Sequence, residues 1–193
     1  MIPSHPPLLL VITGRPCTGK STLAKSIAAS LNLPLLAKDD IKERLFDQLG
    51  ARDRAWSRKL GAATFDLMFY FMELQLSAGH SLATEAPFYP RFHPEKFRQM
   101  QQRCPYQPFV IELVTESETL IQRFTRRSAS GERHPGHMDL TNIPEFEALC
   151  RGENELPLDL GGGRIEVDTS DFSRVDPAAL AAAIRAACPQ ISA

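Results

Sequence analysis

No feature of this chain narrows its fold more than Gly14-Arg-Pro-Cys-Thr-Gly19-Lys20-Ser21-Thr22, which follows an unbroken apolar run, Leu8-Leu-Leu-Val-Ile-Thr13, and opens a stretch with helical spacing. It fits G-x-x-x-x-G-K-[ST] in the setting where that pattern has a mechanism, the turn from a buried strand into a helix. The glycines let the backbone wrap an anion closely, loop N–H groups and the helix N-terminus point toward it, and the lysine supplies charge. Gly14, Arg15, Pro16, Cys17, Thr18, Gly19, Lys20, Ser21 and Thr22 are therefore expected to cradle a polyphosphate, with the Ser21 hydroxyl placed to hold magnesium. A strand apolar on both faces belongs in a parallel sheet covered by helices on each side.

The rest of the chain supplies those layers. Leu23, Ala24, Ile27, Ala28 and Leu31 share one side of a helix from Lys20 to Leu31 that stops at Asn32. Leu33 to Ala37 reads as a second strand, and Asp40-Ile-Lys-Glu43 as a D-x-x-E capping box opening a helix to about Leu49. In a longer helix Trp56, Leu60, Ala63, Leu67, Phe71 and Leu74 step along the apolar face, and Gly79 closes it. His80 to Thr84, Pro108 to Val114 and Arg164 to Asp168 read as further strands. Helices are predicted at Pro94 to Arg103, from a Thr115-x-x-Glu118 capping box to about Arg127, and from Asp176-Pro177 to the Cys188-Pro189 stop. Five strands joined by helices predict a three-layer α/β sandwich with a parallel sheet and right-handed crossovers, one domain over residues 1–193. Residues 41–79 are a helical insertion beside the second strand, and residues 128–163, where periodicity fails, read as a mobile, lid-like insertion.

Composition limits the functional classes. The 193 residues are 43% apolar and carry a net charge of -1, so disorder is excluded and phosphate recognition has to be local rather than a property of the whole surface. Generic nucleic-acid binding and membrane association are not expected. The four cysteines, Cys17, Cys104, Cys150 and Cys188, are too widely spaced for a disulfide scaffold or a CxxC metal site, and a reducing cytoplasm is the expected setting. Two readings stand open for Cys17: a thiol activated by helix N-terminal amides and Lys20, or an inert packing residue. His134 and His137 lack a third ligand at useful spacing and read as polar loop residues rather than a metal site.

The Gly14 to Thr22 loop, Lys38-Asp39-Asp40-Ile41-Lys42 after the second strand, the arginines at 123–133, and Val167-Asp168-Thr169 at the last strand together resemble P-loop kinases of the group that includes polynucleotide kinase, chloramphenicol phosphotransferase and the zeta toxins. The resemblance implies strand order 2-3-1-4-5, ATP and Mg2+ as cofactors, and transfer of the γ-phosphoryl group to a hydroxyl of a small molecule or a nucleic-acid end. It puts a general base at the end of the second strand. Asp39 is the choice there, because Asp40 is the natural N-cap while Asp39 stands at the crevice beyond the sheet's carboxyl edge. By the same resemblance Lys20, Arg126 and Arg133 would stabilise the moving charge, Glu85 would contact acceptor or magnesium, and Asp168 and Thr169 would adjoin the nucleotide. Lys42 falls at a substrate-contact position where polynucleotide kinases carry Arg, and an ammonium lacks arginine's bidentate fork. Tyr70 and Phe69 are candidate walls of an acceptor pocket. Two alternatives remain: a nucleoside-monophosphate-type kinase, whose phosphate acceptor needs no base, and a nucleotide-binding regulator that consumes no acceptor.

Overall fold

The computed structural model describes residues 5–131, 133–152 and 156–191. β1 (Leu8–Gly14) is its central strand, and Leu8 through Ile12 are wholly inaccessible to water, as an unbroken apolar run buried on both faces must be. Around it lie β2 (Leu35–Ala37), β3 (Leu82–Glu85), β4 (Gln107–Val114) and β5 (Gly163–Asp168). The sheet is parallel throughout, in the order β2-β3-β1-β4-β5. This is the three-layer architecture and kinase-type order expected from the sequence.

One face of the sheet is covered by α1 (Lys20–Ser30) and α7 (Pro177–Ala187), which pack Leu23, Ile27, Ala181 and Ile184 on Leu8, Leu10, Ile12 and Ile111. The other is covered by α3 (Arg54–Ser77) and α4 (Pro94–Arg103), through Met68, Met72, Phe97 and Met100 against Leu9, Val11 and Val110. Element ends follow local chemistry. Asn32 takes the left-handed conformation at φ 52° after α1, Gly79 does so at 80° after α3, and the Asp176 carboxylate accepts the N–H groups of Ala178 and Ala179 at the start of α7.

Four sequence expectations are corrected. α2 (Lys38–Leu49) begins at Lys38, with Ala37 as its uncapped N-cap, so the Asp40–Glu43 capping box does not form and both aspartates sit in the first turn. There they face the partial positive charge of the helix N-terminus, which serves in place of a cap. α5 (Ser117–Ser130) likewise lacks the Thr115–Glu118 box: Glu116 is its N-cap, and the Thr115 hydroxyl pairs with that of Thr169 at 2.6 Å.

The buried side of α3 is Ser57, Leu60, Thr64, Met68, Met72 and Leu76, whereas Tyr70, Phe71 and Leu74 are exposed. Thr64 donates to the Leu60 carbonyl and Ser57 accepts from Lys42, so small polar residues are satisfied locally and the buried face is more polar than the apolar stripe suggested. Finally, residues 128–163 are not aperiodic. They contain short 3-10 turns at Pro135–His137 and Asp139–Asn142 and a helix, α6 (Ile143–Arg151). Phe146 stacks on Phe124 of α5 at 4.2 Å, in a satellite core with Leu120, Ile121 and Cys150. The negatively charged stretch at residues 153–155 lies outside the described residues.

Candidate active site

Beyond the carboxyl edge of the sheet a cleft of about 1670 Å³ opens between the loop after β1, the α2–α3 pair and the α5–α6 pair. Eleven Lys and Arg line it against four Asp and Glu, a local excess of positive charge in a chain of net charge -1. Parallel sheets bind ligands at this edge because strand ends and helix N-termini converge there.

The loop from Gly14 to Gly19 is wound to expose its amides. Gly14 has φ 143°, and a Cβ on it would collide with the Leu113 carbonyl; Gly19 has φ 87°, and a Cβ there would enter the Phe172 ring. Cys17 also sits at positive φ, 67°, a conformation that glycine tolerates best. The Arg15 carbonyl closes the turn, accepting from the Thr18 hydroxyl at 2.9 Å and from Lys20 Nζ at 2.8 Å. Pro16, Cys17, Gly19, Lys20, Ser21 and Thr22 line the large cleft, while Gly14, Arg15 and Thr18 border a neighbouring groove. Burial holds the Lys20 ammonium below its ordinary pKa, with Glu85 and Asp39 pulling it back up. Burial pushes the Cys17 thiol up despite Arg127, Lys20 and Arg133, which favours the packing role, at the edge of the apolar cluster that α5 and α6 share, over an activated thiol.

Glu85 ends β3 within the strand, buried, and its carboxylate accepts the Ser21 hydroxyl at 3.2 Å. Burial raises its pKa and Lys20 opposes that. Two hard oxygen ligands side by side below the phosphate loop form a donor set of the kind magnesium prefers.

Asp39 projects from the first turn of α2 into the cleft, while Asp40 is exposed to solvent. Lys38 Nζ approaches the Asp39 carboxylate at 3.2 Å and Arg133 Nη2 at 2.5 Å. Burial pushes this carboxyl up, but Lys38, Arg133 and His137 together outweigh it and hold the group well below the ordinary carboxylate range. It is ionised at neutral pH. Behind it Lys42 is buried, donating to Ser57 Oγ at 3.0 Å, with its ammonium 5.2 Å from the Phe46 ring centroid. Burial and the nearby Lys38 push the Lys42 ammonium down to about 8.

The α5–α6 side supplies a network that the sequence did not reveal. Asp139 accepts from Arg127 at 3.1 Å and from Arg133 at 3.2 Å, so one carboxylate holds two arginines over the cleft. Arg127, rather than its neighbour Arg126, makes this contact; Arg126 lines the cleft on the exposed side of α5. Arg123 is used structurally, its Nη2 donating to the carbonyls of Thr169 and Ser170 at 2.9 and 3.0 Å. Thr169 is fully buried, with its hydroxyl on Thr115 and the Val114 carbonyl, and Asp168 is exposed and capped by the Ser170 N–H. Asp168 faces the neighbouring groove rather than the large cleft. Of the proposed aromatic walls, Phe69 packs on Phe88 and Phe97 and Tyr70 points outward; Phe65 and Tyr89 line the cleft instead.

A wound, glycine-dependent phosphate loop before α1, with a strand-end acid beside its serine, on a 2-3-1-4-5 sheet, defines a P-loop protein of kinase-like fold. Residues 9–148 match the AAA domain family, and the chain belongs to that family. A solved structure from Chloroflexus aurantiacus, described as a candidate kinase, is 36% identical and superposes with a TM-score of 0.89 over 95% of this chain and 99% of that one. The solved structure of a sugar kinase from a Janibacter species, 17% identical with a TM-score of 0.59 over 96% and 98% of the two chains, shares the fold. No protein with a curated description matches the sequence. Among the described residues no helix is long and apolar enough to cross a membrane.

Proposed function

We propose that this protein is an ATP-dependent phosphotransferase that moves the γ-phosphoryl group to a hydroxyl of a small molecule or of a nucleic-acid end. The observation that carries this reading is that the phosphate-loop lysine and an ionised, charge-supported aspartate on a different element face one cleft at the sheet's carboxyl edge. A pure phosphate binder has no use for the carboxylate, because it repels the polyanion.

Lys20 and the loop amides would hold the phosphates, and Ser21 with Glu85 fits magnesium, which supplies charge neutralisation on the phosphate oxygens when bound. Asp39 then aligns the acceptor hydroxyl. As the acceptor oxygen bonds to the γ-phosphorus, the bond from that phosphorus to the β,γ-bridging oxygen breaks, Asp39 takes the hydroxyl proton, and ADP departs. A weakly basic carboxylate suffices in a loose transition state, where the proton is lost late. Arg133, with Arg127 and Arg126 beside it, would face the charge on the transferred group. Lys42, Phe65 and Tyr89 form the acceptor side, and Lys42 favours a polar or anionic substituent there. The free thiols Cys17, Cys104, Cys150 and Cys188 suit a reducing cytoplasm.

The test is a screen of hydroxyl compounds and 5′-hydroxyl oligonucleotides with γ-labelled ATP and magnesium. Label moving to a hydroxyl, and lost in Asp39→Asn, supports the proposal; label moving only to nucleoside monophosphates, with Asp39→Asn unaffected, overturns it in favour of the phosphate-acceptor alternative.

A further inference from the structure

The lid loop reaches α2 through a stripe of three acids. Asp39, Glu43 and Asp47 recur every fourth residue along one side of the helix, and they receive Arg133, His137 and His134 at 2.5, 2.9 and 3.2 Å. Phe46 supports the same contact, stacked with His134 at 5.3 Å and edge-on to His137 at 5.7 Å. Gly136 passes so close that a Cβ would lie 2.5 Å from the Phe46 ring.

Within this contact His137 is buried and bonded at both nitrogens. Its Nδ1 lies 3.1 Å from Arg133 Nη2 and its Nε2 lies 2.9 Å from Glu43 Oε1. Arginine has donors only, so Nδ1 must accept, and the single proton of a neutral imidazole sits on Nε2 and is donated to Glu43. The same Nη2 that His137 accepts from also reaches Asp39, and the other terminal nitrogen, Nη1, is held by Asp139. Protonating Nδ1 would turn an acceptor into a donor facing a guanidinium.

We infer that Glu43 and His137 are positioning residues for phosphoryl transfer: they form a chain, Glu43 to His137 to Arg133 to Asp39, that fixes the lid guanidinium against the carboxylate that aligns the acceptor. The inference rests on the assignment of Asp39 as the base. Glu43 orients the imidazole, the imidazole pins Nη2, and Arg133 is thereby held between Asp39 and Asp139 instead of sampling its many rotamers. The fork is thus ordered before substrate arrives, and an ångström of misplacement at such a group costs about a hundredfold in rate.

The groups facing His137 are Arg133 on its own loop and Lys38, Asp39, Lys42 and Glu43 on α2; burial first, then Arg133, pushes the imidazole down to about 3. Nitrogen NMR on the whole protein, without ATP, should therefore show His137 neutral with its proton on Nε2 from pH 8 to pH 5. Titration near the ordinary value of about 6.5, or a proton on Nδ1, overturns the chain whatever the enzyme's acceptor proves to be.

The kinetic arm uses magnesium–ATP turnover with water as the acceptor probe. His137→Phe should lower kcat about 10–100-fold with KM for ATP within about twofold. His137→Asn, whose amide oxygen can stand in for Nδ1, should restore most of it. Adding Glu43→Leu to His137→Phe should cost nothing more, since both act through Arg133. Equal loss in the Phe and Asn variants, or additive losses, overturns the inference. Asp39→Asn run in parallel separates the two claims: if it leaves turnover intact the base assignment fails, and the NMR result still decides the chain.

Discussion

The two halves of the cleft are built on different principles. On the proposed nucleotide side the groups come from consecutive residues, 14–22, and much of the chemistry is backbone: positive φ at Gly14, Cys17 and Gly19, amides at a helix start, and one lysine. On the acceptor and lid side the groups come from α2, α3 and residues 123–149, and the chemistry is side-chain pairing between residues such as Asp39 and Arg133, 94 positions apart. A backbone cradle is specified wherever its short motif occurs. A side-chain network is specified only once distant elements have been brought together, and under the proposed function it is where an acceptor would be chosen.

Substitutions on the two sides should separate accordingly. The largest expected effect is that of Asp39→Asn, a loss of about 10²–10⁴-fold in kcat for transfer to a hydroxyl, with ATP affinity by calorimetry within about twofold; parallel loss of ATP binding would mean the halves are not independent. Lys20→Ala should do the reverse, weakening ATP binding by about 1.5–3 kcal/mol, the worth of a charged hydrogen bond, while hydrogen exchange at residues 133–142 stays unchanged. Unaltered ATP affinity in that variant would remove the basis of the nucleotide site.

Gly136→Ala should loosen only the lid. Its methyl group meets the Phe46 ring, and relief of the overlap costs about 1–3 kcal/mol, so hydrogen exchange should rise at residues 133–142 and not in β1 or α1. Equal protection in both proteins would show that the loop absorbs the methyl without undocking.

The smallest effect is on pH. His137 in the docked lid is held down at about 3, whereas an undocked histidine titrates near its ordinary 6.5. The undocked state therefore binds the extra proton between those values, so docking is undiminished above pH 6.5 and weakens on acidification by at most about tenfold per pH unit. Glu43, pushed up by burial and by Asp39, works against this. Comparing lid hydrogen exchange in the unaltered protein and His137→Asn isolates the histidine; the same acid response in both would assign it to the carboxylates.

Legibility in the sequence followed the same division. The strands, α1, α4 and α7 were readable because each is set by local signals: an apolar run, a helical stripe, Asn32 as a stop, Asp176-Pro177 as a start. The α2 start is hidden in the sequence because Asp40 has the chemistry of a cap, whereas the chain enters the helix directly from β2 at Ala37. The buried face of α3 is hidden in the sequence because Ser57 and Thr64 are polar by composition yet satisfied inside the protein. α6 did leave a signal, Ile143, Phe146 and Cys150 at helical spacing behind Pro144, masked by the surrounding Gly, Pro and charges. The acids at 39, 43 and 47 were also in view as a helical stripe, but nothing in the sequence paired them with residues 133–137.

What the amino-acid sequence determined alone was the phosphate loop, the parallel sheet around β1 and the presence of Glu85 at the end of β3, because each follows from interactions among neighbours or from burial of a continuous apolar segment. What only the tertiary structure decided was which arginines Asp139 gathers, which face of α3 is inside, and that His137 links Glu43 to Arg133. Those are contacts between residues far apart in the chain, and their partners are chosen by the packing of α2 against the lid loop rather than by any local preference.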